Sequence, residues 1–146
     1  MTKYDVETQF FSVNSKGNND MIDITDEVRT IISTSDFTEG SVLIFIGGAT
    51  AGITTIEYEP GLLKDYPAFF EKIIPSKAQY NHNDTWHDEN GHAHVRAALQ
   101  GASFTVPFLE KNLLLGTWQQ IVLVDFDNRS RKRKITVQLT GMKENN

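Results

Sequence analysis

All four histidines of the chain fall between positions 82 and 94, within Tyr80-Asn81-His82-Asn83-Asp84-Thr85-Trp86-His87-Asp88-Glu89-Asn90-Gly91-His92-Ala93-His94. Imidazole nitrogen is the commonest protein ligand for Zn²⁺, and catalytic zinc sites often use three protein ligands and keep one position open. Asp84, Asp88 and Glu89 can orient such rings by hydrogen bonding. The same composition is also that of a solvated polar loop, and no standard ligand motif decides between the two. His87 and His92 do not have the i, i+4 spacing of a zincin helix. A calcium loop aligned on Gly91 would put Trp86 and Ala97 where carboxylates are needed.

Three other segments carry weaker signals. Gly47-Gly48-Ala49-Thr50-Ala51-Gly52-Ile53-Thr54 is not a phosphate-binding P-loop, because Ile53 stands where the lysine is essential and a strand pattern follows. Glu57-Tyr58-Glu59 puts two carboxylates on one face of a strand, inert toward solvent and a general base or metal ligand if turned into a pocket. Asn128-Arg129-Ser130-Arg131-Lys132-Arg133-Lys134 holds five of the fourteen basic residues. That run can contact phosphates, but a charged hairpin edge that discourages aggregation is the preferred reading.

The elements that must position these residues fit one domain over residues 1–146, since a domain takes roughly 150 residues. Apolar residues are 39% and charged residues 23%, a globular balance, and the absence of cysteine excludes disulfides and thiolate chemistry. A net charge of −5 argues against a nucleic-acid partner. No signal-peptide core and no run of ~20 apolar residues are present, so a cytoplasmic protein with no membrane contact is expected.

Strands are expected at Val6–Val13, Met21–Ile24, Ser41–Gly48, Gly52–Tyr58, Ser103–Leu109, Leu113–Phe126 and Arg133–Leu139. The Val-Leu-Ile-Phe-Ile run in the third reads as buried on both faces. Helices are expected from a cap at Asp23 or Thr25 through Ile32, over Leu62–Ile74 with its apolar residues on one face, and over His92–Gln100. Helices and strands do not alternate, which predicts an α+β fold of mostly antiparallel packed sheets with a few short helices.

The blocks Gly91-His92-Ala93-His94-Val95-Arg96-Ala97-Ala98-Leu99, Gly101-Ala102-Ser103-Phe104-Thr105-Val106-Pro107, Leu115-Gly116-Thr117-Trp118-Gln119-Gln120-Ile121 and Asp125-Phe126-Asp127 resemble the YjbQ-like family. Its members include secondary thiamine-phosphate synthases. The resemblance covers nearly the whole chain and looks closest to the archaeal-type branch. It implies an α+β fold of packed sheets, a homotrimer, and a small-molecule substrate. His82 matches the histidine of the family's Tyr-x-His segment, His94 the one opening its short helix, and Glu57 a glutamate after the Thr-rich strand. Gly48 stands where many members have a histidine, and Ile56 where asparagine is usual.

If the family site uses three histidines, His82, His87 and His94 are the expected metal ligands, with His87 replacing the one absent at Gly48. His92 is the least expected ligand, because positions i and i+2 diverge on a helix and it cannot easily share a centre with His94. The expected ion is divalent, with zinc favoured, since Mg²⁺ prefers oxygen ligands; no organic cofactor is expected. Glu57 and His94 are the expected catalytic groups. With Trp118 inside a strand, Trp118 should pack in the core or a subunit interface, while Thr117 and Gln119 reach the pocket and bind ligand. The readings to separate are an enzyme of the thiamine-phosphate synthase type, a metal- or ligand-binding protein without catalysis, and a trimeric interaction module.

Overall fold

The structure is a computed structural model that describes residues 2–144. Its order is β1 (Thr2–Ser15), β2 (Asp20–Asp23), α1 (Thr25–Thr34), β3 (Phe37–Ile46), β4 (Ala51–Ile56), α2 (Leu62–Ile73), α3 (Asn81–Trp86), α4 (Gly91–Gln100), β5 (Ser103–Leu109), β6 (Asn112–Leu113), β7 (Gln120–Asp125) and β8 (Arg131–Glu144). Two antiparallel sheets form, one ordered β1-β8-β3-β5-β6 and the other β2-β7-β4. The α+β class expected from the sequence is the class observed. No helix among the described residues is long and apolar enough to cross a membrane.

The three-stranded sheet is the middle layer. Ile121 and Leu123 of β7 face a core shared with β3, β5, β8 and α1, while Val122 and Val124 face a second core under α2 and α4. Alternate residues of one strand thus feed two cores, as the two-residue period of a strand requires. The doubly buried strand is therefore β7. The expectation of two buried faces for the third strand fails: in β3, Val42, Ile44 and Ile46 are buried but Phe45 is exposed. No described residue covers the outer face of the five-stranded sheet, where Tyr4, Val6 and Phe10 also remain exposed.

Four local expectations are corrected. The strand expected over Leu113–Phe126 is broken, because Leu114–Gln119 forms an irregular turn between β6 and β7. Trp118 sits on that turn at 71% exposure and is not a core residue. Helix α2 shows only Phe70 buried, with Phe69 and Ile73 exposed, so its apolar stripe is only partly covered. The basic run does not form an edge: β8 lies between β1 and β3. Strand alternation turns Arg133 inward and leaves Lys134 over the ring of Phe10, 4.1 Å from its centroid.

Candidate functional site

The hairpin of β7 and β8 supplies a buried charged floor. Asp125 and Asp127 are two apart and fully buried, facing Arg131 and Arg133, also two apart. Arg133 donates from Nε to Asp125 Oδ2 at 2.7 Å and from Nη2 to Oδ1 at 2.8 Å. Its Nη2 also reaches Thr50 Oγ1 at 2.8 Å. Arg131 donates from Nε and Nη2 to Asp127 Oδ2, at 3.1 and 2.8 Å. Such two-point guanidinium–carboxylate pairs fix orientation as well as charge.

Asp127 is the hub of that floor. Burial pushes its carboxyl up, but the Thr50 hydroxyl, the Asn128 N–H, the Asn90 amide and Arg131 outweigh it and hold the group at about 2. Its folded-state value lies below the ordinary 3.8, so its contribution is present above pH 3.8 and is lost as pH falls through about 2. Stability is expected to drop by about 2 kcal/mol through this group on acidification. Unfolding midpoints across that range check it: Asp127→Asn should start less stable at neutral pH and lose less on acidification.

Helices α3 and α4 bring in the imidazoles. Asn83 Oδ1 accepts the Gly91 N–H at 2.9 Å, tying the two helices together. A Cβ at Gly91 would stand 2.5 Å from Tyr80 Cβ, so glycine permits the close approach. The rings of His82 and His94 then lie with centroids 4.1 Å apart. His92 turns away, buried and 6.3 Å from the Tyr80 ring, as positions about 200° apart on a helix must. Burial lowers the His94 value, and the neighbouring His82 lowers it further, which favours the neutral imidazole with a lone pair to offer.

Histidines and floor line one pocket of about 430 Å³, with His82, His94, Arg131, Arg133, Asp88 and Trp86 in its walls. A second cavity of about 470 Å³, lined mostly by Gly and Ala residues, adjoins it and shares Gly48, Ala49 and His94.

The residues expected at the site divide into two groups. His82 and His94 come together. His87 does not join them: it is exposed and ends α3 in the left-handed conformation, φ 59°. Among the described residues no group of three His, Cys, Asp or Glu side chains is arranged to hold a metal ion. Glu57, Thr117 and Gln119 gather at the other end of the middle sheet. Ala51 pairs with Asp125 at the histidine end and Ile56 with Gln120 at the far end, about 17 Å along the strands. There Gln119 Nε2 donates to Thr55 Oγ1 at 3.0 Å, and Gln119 Oε1 accepts the Gly116 N–H at 3.1 Å. Gln119→Ala is expected to cost about 1 kcal/mol in an unfolding titration by releasing this turn. Glu59 instead accepts the N–H groups of Gly61 and Leu62 at the start of α2.

Sequence reasoning missed Arg131 and Arg133 as pocket residues. The signal was the matched spacing, Asp125-x-Asp127 against Arg131-x-Arg133, across one hairpin.

Comparison with known proteins extends these observations. The family model for UPF0047 proteins, YjbQ-like, matches residues 9–142. A UPF0047 protein of Archaeoglobus fulgidus is 38% identical over 120 residues, covering 82% of this chain and 91% of that one. One from Methanothermobacter thermautotrophicus is 34% identical over 137 residues, covering 94% of each. Among solved structures, a YbjQ-like protein of unknown function from Sulfolobus solfataricus superposes with a TM-score of 0.85 at 33% identity, over 94% of this chain and 99% of that one. A hypothetical protein of Aeropyrum pernix gives 0.86 at 30% identity, over 92% and 98%.

Proposed function

Since the chain belongs to the YjbQ-like UPF0047 family, we propose that it is a cytoplasmic small-molecule enzyme of the secondary thiamine-phosphate synthase type, with His82 and His94 as its reacting groups. The observation that carries this reading is the histidine pair, 4.1 Å apart between ring centroids, in the wall of a pocket of about 430 Å³. A neutral imidazole facing a small-molecule-sized cavity suits proton abstraction, and a second ring beside it can take up or return that proton. The charged floor is costly to bury, which supports a role for the pocket beyond packing. The test is turnover of a panel of small phosphorylated and heterocyclic compounds. Conversion of at least one, lost in His94→Ala and kept in His92→Ala, supports the reading; conversion unaffected by His94→Ala refutes it.

Zinc is the second reading, and His82 Nδ1 favours it: this atom is buried and has no hydrogen-bond partner among the described residues. Two imidazole nitrogens suit Zn²⁺, but His87 is not beside them, so the pair would need a further ligand from water or a neighbouring subunit. Bound there, zinc would supply Lewis acidity. Metal analysis of the purified protein separates the readings, with stoichiometric zinc lost in His82→Ala and His94→Ala supporting this one. A homotrimer completes the proposal, and the exposed Tyr4, Val6 and Phe10 supply apolar surface for it. A monomer in light scattering at micromolar concentration would remove this part.

A further inference from the structure

We propose that Arg131 and Arg133 form an anion subsite beside the histidine pair, built to take the phosphate group of a small phosphomonoester. It rests on the reading of this pocket as the site. Arg133 is 8% exposed, and its Nε and Nη2 are committed to Asp125 and Thr50. Its Nη1 makes no hydrogen bond among the described residues and stands 2.9 Å from where a Cβ on Gly48 would lie. Gly48 itself lines the pocket. The missing side chain at position 48 is thus the opening into which this guanidinium points.

Arg131 repeats the arrangement. Its Nε and Nη2 are spent on Asp127, and its Nη1 has no acceptor among the described residues. Two guanidiniums two residues apart on one strand face repel each other. The buried carboxylates beneath them offset that repulsion and hold the unspent edges toward the same cavity. Both unspent edges open onto the cavity, where an anion can replace the water that otherwise solvates them.

The geometry favours a tetrahedral oxyanion over a carboxylate. Two separate guanidinium edges and the imidazole wall call for at least three acceptor oxygens, which a phosphate ester offers. Asp88 also lines the pocket. It is on the exposed loop and not within the buried floor, so the anion would be taken on the side of the arginines.

The experiment is calorimetric titration of the intact protein with inorganic phosphate, with phenyl phosphate as an ester and acetate as a planar control. Wild-type protein should bind phosphate and the ester more tightly than acetate. Arg131→Met and Gly48→Ala should each weaken phosphate binding about 10–100-fold. Gly48→Ala leaves the fold intact, since Gly48 is exposed and its backbone is not left-handed, but its Cβ displaces Nη1. Unchanged melting temperature in that variant confirms that the loss is local. Free phosphate binding as tightly as the ester would make it the ligand itself and overturn the ester assignment. No phosphate binding at 10 mM (on the order of the weakest specific affinities), or equal binding by both variants, overturns the subsite. The two readings fail separately. Turnover lost in His94→Ala with KM unchanged in Gly48→Ala and Arg131→Met removes the subsite alone. Arginine-dependent phosphate binding with turnover untouched by His94→Ala removes the catalytic reading alone.

Discussion

Replacing Asp125 with alanine is expected to destabilise the protein by about 3–5 kcal/mol, the cost of leaving a buried guanidinium without its carboxylate. For a chain of this size that corresponds to a fall of roughly 10 °C or more in Tm. Asp125 is fully buried and takes both the Nε and the Nη2 bond of Arg133, at 2.7 and 2.8 Å. Its Oδ1 also accepts the Asp127 N–H at 3.1 Å, so the turn into β8 loosens as well. The double variant Asp125→Leu, Arg133→Met should recover most of the loss, because an apolar pair of similar volume replaces both charges. A single variant within about 1 kcal/mol of wild type would mean that Arg133 finds water instead, and the buried floor would not be what orders the pocket.

Loss of the His94 imidazole should lower turnover by about 10²–10⁴-fold, the usual contribution of a positioned acid–base group. Stability should change little, because the ring is only half-buried and borders the open pocket. His92→Ala should show the opposite pattern, since its buried ring packs near Tyr80 away from the cavity. The pH profile carries a sign that can be checked. Burial and His82 hold the His94 value below the ordinary 6.5, so a rate that depends on the neutral ring should persist to lower pH than a free histidine allows. A rate falling only above neutral pH would assign the essential group elsewhere.

Much of the fold was legible in the sequence because local patterns decide it. Ser103–Leu109 alternates as a strand should and is β5 without change of boundary. Helix α4 follows from its apolar spacing and from Gly101, whose φ of 99° ends it. Helix α3 was not legible: its six residues, Asn81–Trp86, are mostly polar and bury none of their side chains. The place of β8 between β1 and β3 was equally hidden, since strand order is set by packing over the whole chain. That single fact turns a run of charges into two pocket arginines. The site was half legible: the histidine cluster identified the pocket, and the i, i+2 rule separated His94 from His92. The pairing of β4 with β7 sets Glu57 and Gln119 at the far end from the histidines, and no local pattern reveals that separation.

The most direct test of the histidine pocket is to follow the four imidazoles separately by side-chain ¹⁵N spectroscopy while zinc, and in a second series a small phosphomonoester, is titrated into the protein at neutral pH. His82 and His94 should shift together and saturate at a common concentration, with His87 and His92 unmoved. Shifts confined to His87 or His92, or none at any of the four in either series, would contradict it and leave the pair without a ligand.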